Sequence, residues 1–393
     1  MPDAPPLYRG GASGFFRSHP KEVVCILRLL LGGSPCQRWS IGQTRNRETE
    51  PSGIGWELFR NYLIARQKYQ PDFFLYENNK SMAKAVREQI TAELGVEPIC
   101  INSALVSAQN RQRLYWTNIP GVEQPEDRGI YLQDILESGT AWLDKSYCLT
   151  ATEYKGVSLE HHLTHHVRNL AAEPVTGYAM RQVGRKMNER GHRDDDRPRR
   201  KKIQRYEVSG TPDKASCLTT IQKHNLVAIP VVTESEPQSM ELERRKHIFE
   251  VRDGMITVKD RRYPIRLPDG LYLIRNLTVR ECMRLQTVPE DYLFPVSRSR
   301  ALALLGNGWT VQVISHILSY CPGIRTEPME VLSMYDGMSC GRLALRELGA
   351  DVIRYYATEI DPYAIATTQA NFPDTIQLGD AFQVRDDNWT ITF

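Results

Sequence analysis

The chain has 393 residues, 41% of them hydrophobic and 25% charged, with a formal net charge of +3. That supplies a sizeable core for about two domains and excludes wholesale disorder. The near balance of charge excludes a uniformly basic surface, so a polyanionic partner must meet a local patch. Eight scattered cysteines with no CxxC pair argue against zinc ribbons and redox dithiols and suit a reducing compartment.

Residues 1–20, rich in Pro, Gly and Ser, read as a loose leader. Residues 22–31 read as a buried strand ended by Gly32 and Gly33; Arg28 interrupts the run and no cleavage pattern follows, which counts against a signal segment. No apolar run approaches the length of a membrane-spanning helix, so no membrane partner and a cytoplasmic protein are expected. Residues 55–69 place Leu58, Phe59, Tyr62 and Leu63 on one helical face, and Pro71 stops the helix. DFFLYE (72–77) is short and almost wholly apolar, as in a strand covered on both faces. NNKS opens a further helix with Met82, Val86, Ile90 and Leu94 four apart, and residues 97–106 and 113–119 read as strands. Strands alternating with helices predict an α/β sheet.

From about 138 to 275 the periodicity weakens. Residues 181–205 carry eleven Lys/Arg against four Asp/Glu, which reads as a separate, irregular module inserted into one α/β domain. The far end returns to the earlier grammar. EVLSMY (330–335) is a strand, DGMSCG (336–341) a turn and RLALREL (342–348) a helix. A strand at 352–358 ends at Glu359, and a helix and a short strand lead to Gly379 and Asp380.

Strand, glycine turn, helix, then an acid closing the next strand is the layout of a nucleoside-binding unit: glycines admit the ligand to the backbone, and the acid accepts ribose hydroxyl protons. The turn is not GxGxxG, so a dinucleotide is not specifically indicated, and glycines serving only a tight turn remain the plain alternative. EIDPY (359–363) resembles the DPPY loop of enzymes that methylate exocyclic amines, but lacks the second proline.

In GGSPCQ (32–37), Cys36 follows a proline at the end of a buried strand, where α/β folds place chemistry; a lone cysteine is otherwise more often apolar filler. Glu77 ends an apolar strand and needs a partner or a function to offset its burial. In QNRQR (109–113), Arg111 and Arg113 share one face if extended. Thiol, acid, paired arginines, nucleoside unit and basic insert together describe one reaction.

These residues resemble the DNA cytosine-5 methyltransferase family. GGSPCQ is similar to its Pro-Cys nucleophile loop, LYENN to its Glu-Asn motif and QNRQR to its Gln-x-Arg-x-Arg motif. LTVRECMRLQTVP (277–289) resembles the segment bracing the recognition domain, and LLGNGWTVQV (304–313) the Gly-Asn helix start near the cofactor. MYDGMSCG, EID and LGDAF resemble the three S-adenosylmethionine motifs. Two departures stand out. Ser339 and Cys340 replace further glycines, a form nearer to animal de novo enzymes and some phage or bacterial relatives. The cofactor motifs also come last instead of first, so the chain reads as circularly permuted.

The resemblance implies a Rossmann-like S-adenosylmethionine-dependent α/β sheet with a smaller, irregular recognition domain. It divides the chain into a leader (1–20), a first catalytic part (21–137), a recognition domain (138–275), a bracing and Gly-Asn part (276–320), a join (321–329) and a cofactor part (330–393). It implies Cys36 as nucleophile, Glu77 on N3 and the amine of cytosine, Arg113 on O2, and Arg111 and Asn78 as organisers. S-adenosylmethionine would contact Pro35, Asn307, Tyr335, Asp336, Gly337, Met338, Ser339, Gly341, Glu359, Ile360, Asp380 and Ala381, with no metal. Duplex DNA would meet Gln37, Ser40, Gln109, Arg185, Lys186, Arg199, Arg200, Lys201 and Lys202. The implied partners are DNA, bound by a monomer in a bacterial or phage-infected cell, and a cognate restriction endonuclease outside any stable complex. Other readings kept open are a tRNA cytosine-5 methyltransferase, a catalytically silent DNA-binding relative and, more distantly, a nicotinamide dehydrogenase.

Overall fold

The computed structural model describes residues 26–42, 45–174, 178–186, 202–212, 225–228, 248–389 and 391, with the backbone alone for 178–186, 202–212 and 225–228. The expected leader lies outside the described residues.

Strand β1 (Leu27–Gly32) has three consecutive fully buried leucines, Leu29, Leu30 and Leu31. Helix α1 (Gly53–Tyr69) turns Phe59, Tyr62, Ala65 and Tyr69 inward, with Gln70 in the left-handed conformation ending it. Strand β2 (Phe73–Asn79) is buried over all but its first residue, as a strand covered on both faces must be. Helix α2 (Lys84–Leu94) buries Val86, Ile90 and Leu94 and stops at Gly95. Strands β3 (Ile99–Asn102) and β4 (Gln112–Thr117) follow, then the short helices α3 (Leu132–Ile135) and α4 (Leu159–His165).

The expectation of an irregular module at 138–275 is corrected by the strands there: β5 (Leu170–Pro174), β6 (Tyr178–Lys186), β7 (Lys202–Pro212), β8 (Asn225–Ala228), β9 (Ile248–Arg252), β10 (Met255–Val258), β11 (Arg261–Pro264) and β12 (Gly270–Asn276). They form a five-stranded sheet, β11-β10-β9-β12-β5, and a three-stranded one, β7-β6-β8, whose pairings are antiparallel. The signal was hidden for a physical reason. In β9, β10 and β12 only Val251, Ile256, Val258 and Tyr272 are buried, so hydrophobic alternation is thin.

Helices α5 (Val279–Leu285), α6 (Arg298–Asn307) and α7 (Val311–Ser319) return the chain to the main sheet. Together α6 and α7 span Arg298–Ser319, a stretch apolar enough to cross a membrane by composition, yet 67% of its apolar window is buried inside the protein. The remaining elements are β13 (Met329–Met334), α8 (Cys340–Leu348), β14 (Val352–Thr358), α9 (Pro362–Asn371) and β15 (Ile376–Gly379).

The main sheet runs β15-β14-β13-β1-β2-β4-β3. Only β4 opposes its neighbours; the other pairings are parallel. The strand β13, late in the chain, pairs along its length with the first strand, from Leu27↔Met329 to Gly32↔Met334. The loops leaving β1, β13, β14 and β15 therefore open on one edge, where an α/β sheet holds its ligand.

Candidate active site

That edge carries a cavity of about 400 Å³. It is lined by the loop after β1 (Gly33–Gln37), by Glu77, Arg111 and Arg113, by Gly306–Trp309, and by the turns after β13, β14 and β15.

Cys36 opens a single 3-10 turn, Cys36–Arg38, after Pro35. Its carbonyl accepts from the backbone N–H groups of Trp39 and Ser40, both at 3.0 Å, and from Asn79 Nδ2 at 3.3 Å. Trp39, wholly buried, roots the turn in the core while Cys36 stays half-exposed on the cavity wall. Asn78 works one residue earlier: its Nδ2 donates to the carbonyl of Ser34 at 3.1 Å and to Tyr76 Oη at 3.2 Å. It holds the loop and does not line the cavity.

Glu77 is nearly buried, and its charge is offset on both oxygens. Arg113 Nε lies 3.0 Å from Oε1, and Trp309 Nε1 donates to Oε2 at 2.9 Å. Arg111 reaches the other way. It donates to the carbonyls of Leu149 (3.1 Å), Gly306 (3.3 Å) and Gly308 (2.9 Å). Both guanidinium groups also meet the sulfur of Cys148, Arg111 Nη1 at 3.2 Å and Arg113 Nη2 at 3.8 Å. Burial would raise the Cys148 thiol, but the two cations win and hold it below its ordinary pKa. Burial acts to lower Arg113, yet Cys148, Glu77 and Cys36 together push it up, so it stays charged.

On the opposite wall, Tyr335 and Ser339 bracket the turn in left-handed backbone, at φ 60° and 57°, and Gly337 stands between them at φ 59°. A Cβ on Gly337 would meet nothing within 4 Å, so that side of the turn is open. Glu359 ties the turn to β14: Oε2 accepts from Gly337 N, and Oε1 from Ile360 N and Asp361 N, each at 2.8 Å. Three of its roughly four acceptor positions are thereby used, leaving about one for a ligand hydroxyl. Asp336 is pushed above the usual carboxylate range by burial, against hydrogen bonds from Ser339, Ser333 and Tyr355.

Of the residues expected at the cofactor, Pro35, Asn307, Tyr335, Asp336, Gly337, Met338, Glu359, Ile360, Asp380 and Ala381 line the cavity. Ser339 and Gly341 do not. Ser339 is wholly buried with its hydroxyl on Asp336 and Thr368, and a Cβ on Gly341 would strike Leu31 at 2.6 Å. They shape the turn from behind. Among the expected DNA contacts, Gln37 is exposed at the cavity and Ser40 is half-buried nearby, its Oγ accepting from Gly42 N. Gln109 is corrected. It is fully buried, donating to Leu285 O and Gln286 Oε1 and accepting from Leu149 N, so it braces the interior instead. Arg185, Lys186 and Lys202 fall on β6 and β7, described as backbone only, and Arg199, Arg200 and Lys201 lie outside the described residues.

Sequence reasoning missed Asn79, Cys148 and Trp309 at this site. Cys148 left no sign of its place there, because Arg111 and Arg113 are 37 and 35 positions away. Trp309 left none, because its partner Glu77 is 232 positions away.

The profile of the C-5 cytosine-specific DNA methylase family matches residues 26–322, about three quarters of the chain. The chain belongs to that family. Its members are C-5 cytosine-specific DNA methylases, and the main sheet here is the Rossmann-like one of such methyltransferases. Among curated methylases, the orphan methyltransferase M.SPRI of Bacillus phage SPR is 33% identical over 97 residues, 22% of this chain. The match spans about a fifth of the phage enzyme's own length. Among solved structures, the Dnmt2 methyltransferase of S. pombe is similar over 74% of this chain and 76% of its own, at 14% identity and a TM-score of 0.32.

The cavity suits S-adenosylmethionine, the methyl donor that the family implies. Its volume lies in the range of small-molecule sites. The acidic residues Glu359, Asp361 and Asp380 line one wall, appropriate to a cationic sulfonium, and the open side of Gly337 leaves room against the turn.

Proposed function

We propose that this chain methylates C5 of a cytosine flipped out of duplex DNA, through a covalent bond between Cys36 and C6. The observation that carries the reading is the meeting of Cys36, Glu77 and Arg113 in one cavity with the turn Tyr335–Met338. Glu359 and Asp380 would hold the ribose and adenine of S-adenosylmethionine, with Asn307 and Ile360 beside them. Bound there, that cofactor supplies an electrophilic methyl group.

C5 of cytosine is a weak nucleophile. Addition of the Cys36 thiolate to C6 moves the ring electrons so that C5 becomes the attacking carbon of an enamine. Arg113 donates to O2, and Glu77 accepts from the exocyclic amine and, with a proton taken up from solvent, hydrogen-bonds N3, offsetting charge that builds on the ring. Once C5 carries the methyl group it loses its proton, and the returning electrons expel Cys36 and restore the ring. The target must leave the base stack for the thiol to reach C6, and lysines and arginines of the 181–205 run would hold the phosphates.

The chain order supports a circular permutation. The family match ends at residue 322, and the cofactor turns lie beyond it at 335–382. The join 321–329 leads straight into β13, the neighbour of β1. The expected division into catalytic and recognition parts is proposed on the same ground.

Transfer of tritiated methyl to duplex DNA is expected, with none to tRNA; labelling of tRNA alone would overturn the choice of substrate. Cys36→Ser should abolish turnover while retaining DNA affinity within about threefold. Methylation by that variant at the normal rate would remove Cys36 from the chemistry. Bisulfite sequencing of DNA from an expressing host identifies the word methylated.

A further inference from the structure

The indole of Trp309 stands where the two halves of the site meet. Its Nε1–H donates to Glu77 Oε2 at 2.9 Å, while Arg113 Nε takes Oε1 at 3.0 Å. Its ring edges face the loop after β1 and the first turn of α8: a Cβ on Gly33 would lie 3.3 Å from Cζ2, and one on Gly341 3.6 Å from Cζ3. The backbone on either side is pinned. The Gly308 carbonyl accepts from Arg111 at 2.9 Å and from Gln286 at 3.1 Å, and Thr310 Oγ1 donates to Gln286 Oε1 at 2.9 Å. The indole therefore has a fixed origin and a fixed target.

This matters because the terminal torsion of a glutamate is broad and roughly two-fold, so burial alone does not set the carboxylate plane. One donor on each oxygen does. The lone pairs left over are then aimed, before any base arrives, at a constant place in the cavity. We propose that Trp309 is a positioning residue whose indole N–H fixes the plane of the Glu77 carboxylate and whose ring fastens the Cys36 loop to the cofactor turn. The proposal rests on the reading of Glu77 given above and adds to it the group that makes the carboxylate usable.

Trp309→Phe keeps the ring and removes only the donor. A hydrogen bond to a charged acceptor is worth about tenfold to a hundredfold, so kcat should fall by that much. KM for S-adenosylmethionine and for DNA should stay within about twofold. The double variant Trp309→Phe/Glu77→Gln should be no slower than Glu77→Gln alone, because the indole acts through the carboxylate. In protein labelled with ¹⁵N-tryptophan, the indole signal absent from the Trp309→Phe spectrum should shift in Glu77→Gln, a readout independent of turnover. An unchanged kcat, a loss carried entirely by KM for the cofactor, multiplicative single-variant losses, or an indole signal indifferent to Glu77→Gln would each overturn the proposal. If the native enzyme methylates neither duplex DNA nor tRNA, the substrate reading falls separately, and the indole signal still decides whether Trp309 holds Glu77.

Discussion

Cys148 lies between two guanidinium groups, and its thiol is lowered because Arg111 and Arg113 favour the thiolate more than burial opposes it. An acid whose pKa is depressed by folding adds stability that is complete above its unfolded pKa and lost as pH falls through the folded one. Cysteine in an unfolded chain titrates near 8.5. The stability difference between the native protein and Cys148→Ser should therefore widen as pH rises from 7 to 9. Paired urea melts at the two pH values check this, and a constant or shrinking difference would show that the arginines do not stabilise the thiolate. Cys36, Glu77 and Arg113 were legible in the sequence because each sits in a short motif at a strand end. Cys148, Asn79 and Trp309 were not, because their roles exist only across the fold. Cys148 meets Arg111 over 37 positions and Asn79 meets Cys36 over 43.

At the scale of elements, α5 ties the β5–β12 sheet to the main domain. Thr278 and Glu281 form its capping box, and Glu281, wholly buried, also pairs with Arg275 at the end of β12 at 2.8 Å. Arg275 reaches Glu173 on β5 at 2.6 Å as well. Glu281→Gln retains a capping side chain but removes the buried charge facing Arg275, which keeps Glu173 as partner, so the cost is that of a charged hydrogen bond, about 1.5–3 kcal/mol. A thermal melt should show a clear loss, and a cost below about 1 kcal/mol would mean the pair is not a strut. The flanking α/β elements were readable from apolar runs such as those of β1 and β2, which are buried on both faces. The strands β9–β12 were not, since a sheet that buries a few side chains leaves little periodicity to find.

Across the whole molecule, the main sheet is made from both ends of the chain. β13 lies between β14 and β1, so neither end completes a sheet by itself. A fragment ending at Arg325 would expose the long apolar edge of β1, an invitation to aggregate. Fragments 1–325 and 326–393 should co-purify when expressed together, melt in one transition, and be insoluble when expressed apart. Solubility and a cooperative melt of the longer fragment alone would contradict this. Order along the chain and order in the sheet are separate properties here. That is why Cys36 and Gly337, far apart in the chain, line one cavity, as the order of the motifs leads one to expect.

The bonds of Arg111 to Leu149, Gly306 and Gly308 bridge the segment before α4 and the junction of α6 and α7 directly. These two segments, which flank the strands β5–β12, are thus stitched to each other through the residue just before β4. A foreign segment spliced in between Leu149 and Gly306 would leave these bonds intact. Among the described residues lining the cavity, none lies between Arg113 and Leu304, so such an exchange would leave its walls in place.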